Sequence, residues 1–112
     1  MTDFNTILAA ALVAWATSAM AHDTTTLNAQ GKQVFDKSCA SCHAAGDRMP
    51  GTASLEAKYH GSIPAALEER KDMNRDFIRY FVRNGVLIMP PFRKTEISDA
   101  DLDALAAYLS HQ

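Results

Sequence analysis

Apolar positions in the second half of the chain recur at three- and four-residue intervals, and period-two alternation is sustained nowhere. That periodicity predicts helices and no sheet. Leu102, Leu105, Ala106 and Leu109 fall on one stripe. Ser98 reads as its N-cap with Asp101 at the capping-box position, and Ile97 is placed to staple onto Leu102. Phe77, Ile78, Phe81 and Val82 make a second stripe, with Arg75, Arg79 and Arg83 on other faces. Asp72 or Asn74 would cap its start, and Asn84-Gly85 would end it in a left-handed cap. A third helical pattern runs from Leu27 into Cys39, with Val34 and Phe35 inward and Lys32 and Lys37 outward. Gly31 sits within it. Glycine there costs helix stability, so it points to close packing against another element.

Between these stripes the pattern is weaker. Residues 44–62 read as loop, broken by Gly46, Pro50, Gly51 and Gly61. Ser62, with Pro64 at the first helical position, predicts a short helix through Ala66, Leu67 and Arg70. Residues 86–96 are irregular and hold Met89-Pro90-Pro91-Phe92, where two prolines exclude a helix interior and stiffen the chain. The fold class expected is all-α.

The first residues read differently. An apolar run over 7–15 is followed by Thr17, Ser18 and the small-residue pattern Ala19-Met20-Ala21. This resembles a secretory signal peptide, although Asp3 stands where a lysine or arginine is usual. The run is too short to cross a bilayer of about 30 Å. The division expected is a signal peptide over 1–21, a flexible leader over 22–27 and one domain over 28–112, in an exported, periplasmic protein. The chain has 11 basic and 13 acidic residues, a formal net charge of −2. No basic excess points to nucleic acid, and no polybasic helix points to a membrane surface. A domain this small buries little surface and gains from a staple.

Cys39-Ala40-Ser41-Cys42-His43 supplies one. A C-x-x-C-H run is the attachment signature of a c-type haem. Two thiols three positions apart can each bond a vinyl group of one porphyrin, and the histidine that follows becomes the proximal iron ligand. Other readings fit less well. A thioredoxin-like dithiol needs a βαβ setting, a structural zinc needs four ligands, and a Cys39–Cys42 disulfide would close too small a loop to stabilise much. Export agrees with haem attachment, which takes place outside the cytoplasm.

The iron's sixth position decides the function class: a thioether raises the potential, and an empty site admits small ligands. Met49 follows His43 too closely to reach the other face. Met73 lies in a charged junction between helices and reads as a partly exposed structural residue, and His60 reads as a surface residue. Met89 comes after a finished helix, on a proline-stiffened loop that can hold its sulfur in place. A buried gap-filling role is the alternative for it.

Gly31-Lys32-Gln33-Val34-Phe35 before the attachment run, then Arg83-Asn84-Gly85, Met89-Pro90-Pro91-Phe92 and 102–109, closely resemble class I monohaem c-type cytochromes. The resemblance implies a haem enclosed by crossing N- and C-terminal helices plus one or two shorter ones, with Gly31 and Tyr108 near the crossing. It implies Cys39, Cys42, His43 and Met89 as the residues binding one covalent haem c, with His43 and Met89 on the metal. It further implies that the Pro50 carbonyl accepts the imidazole N–H. No residue is expected to act as acid, base or nucleophile; the chain reads as a redox carrier and not an enzyme. Within the family, the length and the Met-Pro-Pro-Phe loop resemble the cytochrome subunit of p-cresol methylhydroxylase-type flavocytochromes. That implies a periplasmic flavin dehydrogenase as electron donor and a further acceptor downstream. Alternatives are a free shuttle for another dehydrogenase or a terminal oxidase, and a haem enzyme or gas sensor with an open sixth site.

Overall fold

The computed structural model describes residues 23–111. The expected signal peptide therefore lies outside the described residues. Among the described residues five α-helices and one 3-10 turn follow in order: α1 (helical over residues 23–38), α2 (Ala40–His43), α3 (Pro50–Tyr59), the 3-10 turn Leu67–Glu69, α4 (Arg75–Asn84) and α5 (Asp99–Leu109). Among the described residues the extended pairing is a single isolated bridge between Val86 and Met89. The fold is all-α among the described residues, as the periodicity predicts.

α5 is the central element. Ala and Leu are strong helix formers and make up much of it, and its N-cap Ser98 accepts a hydrogen bond from the Asp101 N–H at 3.1 Å. Ala104, Leu105, Ala106 and Ala107 are consecutive and fully buried. One apolar stripe cannot produce that; neighbours must cover α5 on more than one side. α4 packs on one side, and α1 crosses on another at Gly31. A Cβ built on Gly31 would stand 2.2 Å from the Ala104 carbonyl oxygen and 2.5 Å from the Tyr108 Cβ, so the crossing tolerates no side chain. Gln30 adds a hydrogen bond to Asp101 at 3.0 Å, and Tyr108 donates to Glu68, which also pairs with Lys32 at 3.5 Å. Phe35, fully buried, joins Met73, Ile78, Val82, Ile97, Leu102, Leu105 and Leu109 in one core cluster. Each such side chain is worth about 1.5–3 kcal/mol on burial.

The chain departs from the sequence expectation in several places. Residues 23–26, expected in a flexible leader, are helical; once α1 is anchored at the crossing, extending it by a turn is cheap because nucleation is already met. The stretch 44–62 is not all loop. Pro50 occupies the first position of α3, where its missing N–H costs nothing. Only Thr52 of α3 is buried, so the helix has no apolar stripe to read. The helix expected over 62–70 is only the 3-10 turn Leu67–Glu69, because Arg70 leaves it with extended backbone and turns inward. Asn74 caps α4 by accepting from the Phe77 N–H at 2.9 Å, while Asp72 binds Arg70 instead. Gly85 ends α4 at φ 67° but with extended ψ 178°, not the left-handed helical cap expected.

Candidate functional site

The C-x-x-C-H run is a single helical turn set on the end of α1. The Cys39 N–H donates to the Phe35 carbonyl at 2.9 Å, and the Cys42 and His43 N–H groups both donate to the Cys39 carbonyl, at 3.0 and 2.9 Å. Residues three apart on such a turn share a side. The two thiols are free, Cys39 half-buried and Cys42 exposed. Burial, with a smaller contribution from Cys42, pushes the Cys39 thiol up to about 11. A redox dithiol needs the opposite shift, toward thiolate.

His43 follows, its charged form disfavoured by burial. α3 closes over it. A Cβ on Gly51 would lie 2.6 Å from His43 Cε1 and 2.7 Å from the Cys42 carbonyl oxygen, so the ring rests directly on the glycine backbone. Thr52 donates to the Ala44 carbonyl at 2.7 Å and ties the intervening loop down. The Pro50 carbonyl does not take the His43 N–H as expected. It lies in the first turn of α3 and accepts the Ser54 hydroxyl at 2.8 Å. His43 Nδ1 is buried with no hydrogen-bond partner among the described residues.

A cavity of about 770 Å³, counting its open mouth, lies beside this turn. Its walls include Phe81, Val82, Leu105 and Leu109, and Cys39, His43, Met73 and Met89 open onto it. Cys42 is exposed and, like Met49 and His60, is not on its wall. Two of the sixth-position candidates therefore share the cavity. Met73 is only 6 % exposed and belongs to the core cluster, contrary to the partly exposed position expected. Met89 takes no part in that cluster. Its backbone is held by mutual N–H to carbonyl bonds with Val86, at 2.9 and 3.1 Å.

Sequence reasoning missed the charged part of the wall. Lys58 and Arg70 line the cavity beside Tyr59, with the Lys58 ammonium and Arg70 guanidinium 5.2 and 5.3 Å from the Tyr59 ring centre. Arg70 is 3 % exposed and bonds Asp72 through two nitrogens, at 2.9 and 2.6 Å. That pairing holds the Asp72 carboxyl below its usual range. The one sequence signal was an arginine inside an otherwise ordinary charged run.

Residues 26–109 match the family model described as cytochrome C oxidase, cbb3-type, subunit III. The chain belongs to the class I monohaem c-type cytochromes. Cytochrome c6 of Picosynechococcus sp. is 37 % identical over 105 residues, 92 % of this chain and 85 % of that protein. Cytochrome c6 of Tetradesmus obliquus is 35 % identical over 86 residues, 75 % of this chain and 89 % of that protein. No solved structure gives a significant match. As a c-type cytochrome the chain carries one covalent haem c, and the site fits it. The cavity wall is largely apolar, and it gathers a thiol from Cys39, the half-buried His43 imidazole and a thioether from Met89, the donor set a covalent haem needs. Among the described residues no helix is long and apolar enough to cross a membrane.

Proposed function

We propose that this cytochrome is a one-electron carrier in which Cys39 and Cys42 would anchor the porphyrin and His43 and Met89 would ligate its iron. The observation that carries the reading is the opening of Cys39, His43 and Met89 onto one apolar cavity. When bound, haem supplies a ferric/ferrous couple whose potential a thioether ligand raises. The chain's own residues do the rest. The α2 turn fixes the spacing of the thiols and the imidazole. Gly51 sets the height of the His43 ring. Phe81, Val82, Leu105 and Leu109 exclude water, and Lys58, with Arg70 already paired to Asp72, would offer positive charge to the carboxylates of the group. With Met89 as a ligand no coordination site would stay open for substrate, which favours transfer over catalysis.

The carrier is read as periplasmic, exported by the segment over 1–21. Its donor is a periplasmic dehydrogenase, read as a flavoprotein of the alkylphenol hydroxylase type from the Met-Pro-Pro-Phe loop. The second reading is a free shuttle serving another dehydrogenase or a terminal oxidase; the oxidase subunit named by the matching family model supports the latter acceptor. Denaturing the holoprotein in acidified acetone tests the attachment. Wild type should keep its haem on the polypeptide, and Cys39→Ala or Cys42→Ala should show at most a single thioether in the pyridine haemochrome spectrum. Haem passing into the solvent from wild type would contradict the assignment.

A further inference from the structure

The segment that brings Met89 to the cavity is held locally by its backbone, through the mutual Val86–Met89 hydrogen bonds and the close seat of residues 89–91 on Gly85, and not by its side chains. Val86, Leu87 and Ile88 are 48 %, 100 % and 85 % exposed, so no side chain of the tip is anchored by burial. Leu87 adopts φ 52°, a left-handed conformation that a leucine takes at a cost. Pro90 and Pro91 are exposed and contribute no N–H. Further attachments tie the far end of the loop to two consecutive residues of α4. The Val82 carbonyl accepts the Phe92 N–H at 2.8 Å. Arg83 does more: its Nη1 donates to the carbonyls of Phe92 at 3.1 Å and Ile97 at 2.9 Å, and its Nη2 to Asp99 at 2.8 Å. Its side chain is 22 % exposed, and Lys94 joins the same carboxylate at 2.8 Å.

One guanidinium thus spans three points of the returning chain, from just beyond the prolines to the first residue of α5. A planar fork with five fixed donors can do this; an ammonium cannot meet all three acceptors at once. Arg79, one turn earlier on the same helix, bonds only exposed carboxylates, Asp103 at 2.9 Å and Asp76 at 3.2 Å, and touches no part of the loop. We propose that Arg83 is the positioning residue for the distal ligand, closing the 86–92 loop so that the Met89 sulfur stays at the cavity. This rests on the reading of Met89 as that ligand.

The test uses the holoprotein, with carbon monoxide as probe and the near-infrared sulfur-to-iron band as the measure of ligation. Wild type should show the band when oxidised and exclude carbon monoxide when reduced. Arg83→Gln should keep haem and helix content, bind carbon monoxide at least tenfold faster than wild type, and lose the band at a denaturant concentration well below that at which the helices melt. Arg83→Lys, which keeps the Asp99 pair, should fall between. Asp99→Asn keeps both carbonyl bonds and should remain inert to carbon monoxide, as should Arg79→Gln. The proposal is overturned if Arg83→Gln keeps its band until the helices melt, or if Arg83→Gln and Arg79→Gln behave alike. Should Arg83→Gln fail to fold, Arg83→Lys carries the same two outcomes. If wild type lacks the band, or Met89→Ala retains it, the ligand reading itself falls, a result distinct from failure of the Arg83 role.

Discussion

The two walls of the cavity are built by different means. On the proximal wall everything that places His43 comes from the turn it sits on and the helix that follows. The Cys39 carbonyl holds its N–H, Thr52 ties the loop, and Gly51 seats the ring. On the distal wall Met89 is placed by its own backbone bonds to Val86 and by groups spread from Val82 to Asp99, joined through Arg83 and the Val82–Phe92 hydrogen bond. His43, the proposed proximal ligand, is adjacent to a residue that reads as covalently anchored, so its geometry survives a loose fold. Met89, the proposed distal ligand, has no such tether and depends on packing of α4 against α5. Local failure should therefore begin on the Met89 side.

Substitutions can separate the walls. Gly31→Val should have the largest effect, because its side chain must enter the contact with Ala104 and Tyr108. Prying α1 from α5 should cost about 3 kcal/mol and weaken both walls together, seen as a lower urea midpoint with helix loss and carbon monoxide access appearing at the same denaturant concentration. Gly51→Ala should cost about 1–2 kcal/mol and act on the proximal wall alone. Its methyl would displace the His43 ring, shifting the electron paramagnetic resonance g-values while the reduced protein still excludes carbon monoxide. Access to carbon monoxide in this variant would show that the walls are coupled. Thr52→Val should be mildest, removing one hydrogen bond worth about 1 kcal/mol, measured as a small fall in thermal midpoint with an unchanged spectrum.

The same contrast governs what could be read from sequence. Cys39, Cys42 and His43 were legible because covalent chemistry demands fixed spacing on one turn. The stripes of α4 and α5 and the Ser98 cap were legible because burial on one face imposes a period. α3 was not, since its only buried residue is Thr52 and the proline that opens it also reads as a breaker. Arg70 and Arg83 were illegible for another reason. Each acts through partners fixed only by the tertiary fold, so in sequence they look like any exposed charge on a polar face. Met73 shows the opposite error: its charged neighbours suggested exposure, yet it is packed in the core. The crossing at Gly31 and Tyr108, implied by family resemblance, is present as direct contact.

In the proposed reading His43 and Met89, brought to one cavity by these unlike walls, would hold the iron between them. The most direct measurement is the near-infrared sulfur-to-iron band of the oxidised holoprotein in wild type, Met89→Ala and Met73→Ala. The account predicts the band in wild type and Met73→Ala. In Met89→Ala it should be absent, with a lower reduction potential and new carbon monoxide binding. A band that persists in Met89→Ala and disappears in Met73→Ala would place the distal ligand in the core, and the account of the distal wall would be wrong.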